Sequence, residues 1–219
     1  MGKEARAWAK EHLKGNKWNV WKGVLVVSVI SSVASFIAQL FAGPDPNNPS
    51  MTSQLLESAF SIAMLPMTIG LIVYIGNLVR GKKFEINQIF SKYSSFVRIF
   101  VTSLLEGIIV FLFTLLLIVP GIIRAIAYFL VNYMLADPDF DDKGYKELLD
   151  LSKEIMNGHK AEYFGMMMYY FLMMILGCFT LGILWIWTIP EMQLACVKYA
   201  NELLDEYKKG NKKSSKKEK

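Results

Sequence analysis

Cysteine and histidine are both scarce, with two of each in 219 residues. Cys178 and Cys196 give no disulfide framework: on one helix they would stand about 27 Å apart, far beyond the ~7 Å Cα limit for a bridge. Both read as small packing residues. His12 and His159 alone supply no zinc-ligand spacing and no H-E-x-x-H pattern, so neither metal nor cofactor is expected. Charge is short as well, at 20% of the chain against about 25% in an ordinary soluble domain. The apolar stretches hold no nucleophile–base pair, which argues against an enzyme.

Long apolar runs are what the chain has in abundance. Hydrophobic residues make up 53% of it, and from Val97 to Ala136 the only charges are Arg98, Glu106 and Arg124. As one helix that run would extend roughly 60 Å, twice the ~30 Å hydrocarbon core, so it must fold back. Similar blocks cover Gly23–Ala42, Leu55–Val79 and Tyr163–Val197. The first block follows 22 residues carrying six Lys or Arg. It is longer than the core of a secretory signal, so it reads as a retained span.

The fold class expected is all-α: a polytopic membrane bundle of about six transmembrane helices in three hairpins, with amphipathic interfacial helices on the cytoplasmic side. The spans fall near 23–42, 54–79, 98–119, 122–137, 163–178 and 183–204. Gly43-Pro44-Asp45-Pro46-Asn47-Asn48-Pro49 breaks the first pair as a loop. Pro120-Gly121 is expected to be the turn of the second hairpin, and residues 177–182 that of the third. As domains, 1–207 forms one membrane unit. It comprises an interfacial helix (1–20), hairpin one (23–79), an interfacial segment with hairpin two (84–137), and an amphipathic helix with hairpin three (144–204). A Lys-rich tail (208–219) is expected to be disordered and to touch anionic lipids.

Charge orients this arrangement. Segments 1–22, 80–98, 137–162 and 198–219 hold 23 of the 24 Lys and Arg residues. The positive-inside rule therefore places both termini in the cytoplasm of a multi-pass plasma-membrane protein. Arg124 is the exception, expected near the outer face. In 145–156, Tyr145, Leu148, Leu149, Ser152, Ile155 and Met156 share one helical face and charged residues cover the other, the pattern of an interfacial helix.

Two distant stretches align without a gap: "AKEHLKGNKWNVW" (9–21) and "SKEIMNGHKAEYF" (152–164). Gly15 and Gly158 are expected to stop a helix. Lys17 and Lys160 (after His159 in the second copy) stay with the headgroups, and Trp21 and Phe164 anchor the next span. A third unit over 84–137 completes an organisation of three interfacial-helix-plus-hairpin repeats.

These residues also resemble a known family. "LIVPGIIRAIAYFLVNYMLAD" (117–137), "LSKEIMNGHKAEYF" (151–164) and "TLGILWIWTIPEMQ" (180–193) are similar to the bacterial membrane family called domain of unknown function 975, and "LKGNKW" (13–18) to its opening motif. The resemblance implies a polytopic bacterial membrane protein, commonly from Gram-positive anaerobes, with no established activity. A looser likeness reaches the membrane domains of glycerophosphodiester phosphodiesterases, whose catalytic domain has no counterpart here. Glu191 after Pro190 departs from the family pattern, where an aromatic is more usual.

Charged residues inside spans need partners, since each costs about 2.5–3.5 kcal/mol at the centre on insertion scales. Depth arithmetic allows Arg124 to pair with Glu57 or Glu191 and makes Glu106 a poorer match. Such a pair would lock the bundle or couple an ion or substrate. "DPDFDDKG" (137–144) fails the calcium-loop pattern, having Asp142 and Leu148 where glycine and glutamate are required; helix capping explains its aspartates. Expected partners are the bilayer, anionic lipids, and a second copy or another membrane protein, with no nucleic acid. Two functions fit: a non-enzymatic envelope protein serving organisation, stress or peptide immunity, and a small transporter or transport accessory.

Overall fold

The computed structural model describes residues 1–43 and 50–217, with side chains as far as residue 211. Residues 44–49, most of the expected first loop, lie outside the described residues. The architecture is all-α, as the sequence leads one to expect. Eight helices follow in order: α1 (Gly2–Gln39), α2 (Met51–Val79), α3 (Phe96–Leu116), α4 (Ile118–Ala127), α5 (Val131–Ala136), α6 (Tyr145–Ile155), α7 (Lys160–Phe179) and α8 (Trp185–Lys217). Short 3-10 turns at Ile86–Phe90, Tyr93–Ser95 and Pro138–Phe140 join them. Five helical stretches are long and apolar enough to cross a membrane: α1, α2, Ile86–Leu116, Ile118–Ala136 and α7. This is the pattern of a membrane protein. The sixth expected span, 183–204, falls mostly in α8 and is not among the five, because Glu191, Lys198 and Glu202 interrupt its apolar residues.

α1 differs most from expectation. The interfacial helix over 1–20 and the span over 23–42 are one continuous helix, and Gly15 sits in its interior rather than at a stop. A helical glycine costs about 0.5–1 kcal/mol relative to alanine, and packing overrides that cost here. Gly2, Ala5, Ala9, Leu13, Val20 and Gly23 are buried along one face, at the three-, four- and seven-residue spacings that a helix repeats. Helix α8 is the most extensive neighbour of α1, while Gly2 of that face lies beside Glu162 of α7 and Gly23 beside Tyr74 of α2. Gly158, by contrast, has φ +92 and does end a helical segment. The two copies of the repeat therefore share sequence but not backbone.

α2 runs antiparallel to α1. Tyr74 donates its hydroxyl hydrogen to the Asn19 carbonyl at 2.8 Å, and a Cβ on Gly23 would sit 2.8 Å from the Tyr74 ring. Helix α2 continues through the buried Pro66. A Cβ on Gly70 would lie 1.9 Å from the Ile89 carbonyl oxygen, so only glycine admits the Ile86–Phe90 turn there.

The second hairpin turns earlier than the sequence suggests. Leu117 is extended (φ −162, ψ 140), and α4 starts at Ile118 with Pro120 and Gly121 already inside its first turn. Proline is tolerated there because the first amides of a helix have no intrahelical acceptor. Gly121 lets α4 close onto α3, since a Cβ would meet Thr114 Oγ1 at 2.1 Å. The expected span 122–137 is split in two by the turn between α4 and α5. The α7–α8 reversal uses Leu181 (φ 52) and Gly182 (φ 85). Cys178 and Cys196 are free and belong to different helices, not to one. The Lys-rich tail expected to be disordered continues α8 as far as Lys217. Its first residue, Lys208, is anchored to Asp137 and Asp139; residues 218–219 lie outside the described residues.

Two contacts overturn the expected depths. Trp21 Nε1 donates to the Ile186 carbonyl at 2.9 Å, and Lys17 Nζ lies 4.7 Å from the Trp187 ring centroid. The expected topology set these partners on opposite faces. The third hairpin therefore packs beside the basic half of α1 instead of beside its apolar half. Residues 24–37 of α1 and 54–65 of α2 include no buried position. They project as a two-helix hairpin from a body built of everything else.

Candidate functional site

A hollow of about 490 Å3 in that body opens where α2, the turns before α3, α5 and α8 converge. Its apolar wall comes from Ile72, Val73 and Val197, and its polar wall from Asn77, Arg80, Lys92, Asp137, Asp141 and Asn201. The aspartate-rich loop supplies the anions, and Arg80, just past α2, supplies the cations together with Lys82 and Lys92 of the following segment.

Arg98 near the start of α3 grips the loop backbone. Nη1 donates to the Asp141 carbonyl at 2.8 Å and to its carboxylate at 3.1 Å; Nη2 donates to the carbonyls of Lys143, at 3.1 Å, and of Phe140. Lys92 adds a second cation 3.9 Å from Asp141. From α8, Lys208 Nζ reaches Asp137 at 2.6 Å and Asp139 at 2.5 Å. Burial disfavours the charged Lys208, but the hydrogen bonds and charges of the two aspartates outweigh it and raise its pKa above the usual lysine range. Arg80 completes the ring with Asp205 at 3.3 Å and the Asn201 side-chain carbonyl at 3.1 Å. Arg98 Nε and Asn201 Nδ2 are buried without a hydrogen-bond partner.

The aspartates thus act as clamps rather than as the caps of α6. Helix α6 begins at Tyr145, and its N-cap Gly144 donates its amide hydrogen to Glu147 Oε2 at 3.4 Å. Sequence reasoning missed these clamps, because the partners lie 43 and 71 residues away. The arrangement offers donors and charges of both signs to a small polar molecule, and most of them already hold the fold together.

The intramembrane charges singled out from the sequence are dispersed. Arg124 stacks 4.2 Å from the Phe113 ring centroid and lines a separate cavity with Lys153 and Lys160. Glu57 faces Ser31, Ser35 and Ser61 between α1 and α2. Glu191 accepts a hydrogen bond from the Tyr170 hydroxyl at 3.3 Å and is attracted by Lys10 and Arg6 of α1. Glu106 lies half-buried in α3. The expected Arg124–Glu57 and Arg124–Glu191 pairs do not form; the shallow α3–α4 turn keeps Arg124 beside the start of α7. Of the repeat residues, Lys17 bridges Trp18 and Trp187, and His159 immediately precedes α7.

Fold and cleft define a helical membrane protein whose polar residues gather at one end of its apolar hairpins. Residues 108–206, from the middle of α3 into α8, match the model of a family described as protein of unknown function (DUF975). That match supports the family resemblance drawn from the sequence, and it contains all three longer motifs that carry it. No curated protein and no solved structure matches the chain.

Proposed function

We propose that the protein is a non-enzymatic component of a bacterial cell membrane that organises or protects the bilayer, in envelope stress or immunity to a membrane-active peptide. The observation carrying this reading is the distribution of apolar surface. Phe111 and Leu115 of α3, Phe171 and Phe179 of α7, and Val29 and Phe36 of α1 are all more than half exposed. Apolar side chains are thus exposed along all three hairpins, a form suited to embedding in lipid over a broad area. Both termini lie on the cytoplasmic side in this reading, supported by the positive-inside bias. The basic end of α8 meets anionic lipid, and a second copy or another membrane protein is the expected partner.

Deleting the gene should lower tolerance to a membrane-active peptide, while purified protein in liposomes should pass no ion, peptide or lipid. The second reading, a small transporter or transport accessory, draws on the 490 Å3 cleft with charges of both signs and on Pro66 and Pro190 within helices. Measurable flux through the same liposomes would replace the first reading with the second.

A further inference from the structure

Three basic side chains from three helices meet at one cavity. Arg124 of α4, Lys153 of α6 and Lys160 of α7 line a hollow of about 310 Å3 together with Phe113, Pro120 and Ile123. Local structure brings each of them there. The Phe113 ring supports the Arg124 guanidinium. Ser152 Oγ donates to the Ala127 carbonyl at 2.8 Å, which ties α6, and with it the next residue Lys153, to α4. Gly158, with φ +92, reverses the chain so that Lys160 opens α7 at the same place.

None of the three has an ion pair among the described residues, and no carboxylate lines the cavity. Three other cations of the body are paired: Arg98 with Asp141, Lys208 with Asp137 and Asp139, and Lys198 with Glu202. Like charges gathered beside apolar surface repel more strongly as the local dielectric falls, and an anion among them removes that repulsion.

The surface around the cavity specifies the rest of the ligand. Leu117 (66%), Val119 (66%), Ile122 (46%) and Ile123 (47%) are exposed at the tip of the α3–α4 hairpin. A ligand seated here would present an anionic group to the three cations and hydrocarbon to the apolar tip. We propose that Arg124, Lys153 and Lys160 bind the phosphate of an anionic glycerophospholipid whose acyl chains lie along the α3–α4 tip. This site requires the chain to be in a membrane but does not depend on the envelope role argued above.

The test uses the full chain in nanodiscs containing phosphatidylglycerol in excess phosphatidylcholine, released into native mass spectrometry to count retained lipids. Wild type should retain phosphatidylglycerol selectively. Arg124→Gln, Lys153→Gln and Lys160→Gln should each weaken retention about fivefold, the effect expected of one basic residue at an anionic surface. Arg124→Lys should keep most of it. Lys146→Gln removes a charge from the same helix as Lys153 but outside the cavity, and should change nothing. Because Lys153 is exposed, its substitution leaves the fold intact even if the Arg124 variant proves unstable. Equal losses in Lys146→Gln and Lys153→Gln, or undiminished retention in the triple variant, would overturn the site. Displacement of the lipid by millimolar inorganic phosphate, or a bound phosphate in discs of phosphatidylcholine alone, would overturn the lipid assignment in favour of free phosphate.

Discussion

Trp185 lies flat against Gly177. Its indole nitrogen donates to the Met174 carbonyl at 3.0 Å, and a Cβ on Gly177 would fall 1.8 Å from that nitrogen. The α7–α8 reversal therefore closes on a glycine and a tryptophan that fit only each other. Gly177→Ala should expel the indole and destabilise the protein by about 1–3 kcal/mol, the usual cost of overpacking. Thermal unfolding in detergent, followed by tryptophan fluorescence, would measure this; an unchanged midpoint would show that the contact does not hold the hairpin.

Arg98 should matter more than its place in an apolar run suggests. It serves the carbonyls of Phe140, Asp141 and Lys143 as well as the Asp141 carboxylate. Arg98→Met strips those acceptors of a charged donor, at a cost of about 2–3 kcal/mol. Limited proteolysis should then cut between Asp137 and Gly144, which the wild type protects.

The Lys208 clamp carries a pH signature. Its pKa is raised in the folded protein above the ordinary value of 10.5, through Asp137 and Asp139 acting against burial. A raised folded pKa means that the clamp's contribution is complete below the unfolded value and is lost as pH climbs through the folded one. Lys208→Met should lower the melting midpoint at pH 7 to 9, and the gap from wild type should close only above about pH 10.5. A gap already absent between pH 7 and 9 would show that the clamp adds no stability.

Chemistry can test the depths directly. With Cys178 and Cys196 replaced by serine, Lys17→Cys and Trp187→Cys should cross-link with a short bifunctional reagent, because the native side chains lie 4.7 Å apart. Failure of that bridge in intact membranes would restore the arrangement in which the two residues occupy opposite faces.

Helix content and most helix limits were legible because apolar periodicity is local: α2, α6 and α7 begin and end within a few residues of where pattern, capping and glycine signals put them. Depth was not legible. Hydropathy gives the length of a span but not its neighbour, and only long-range contacts such as Trp21 with Ile186 reveal where the third hairpin sits. Gly15 and Gly158 show the same limit. Identical residues in similar sequence have different backbones, although both glycines are exposed and Leu13 and its counterpart Met156 are both buried. Arg124 was correctly marked as unusual. Its companions are lysines rather than a carboxylate, since residues 29 and 36 positions further on return to it in space.

The interface of α1 with α8 also sets an order of events. Trp21 and Ile186 are 165 residues apart, so at about 5–20 residues per second the ribosome needs roughly ten to thirty seconds to deliver the second after the first. Through that interval α1 lacks its α8 partner, while the α1–α2 and α3–α4 contacts can already form. The helix pair that binds the body most extensively closes last in synthesis, which makes α8 the latch of assembly and the earlier helices an unlatched intermediate.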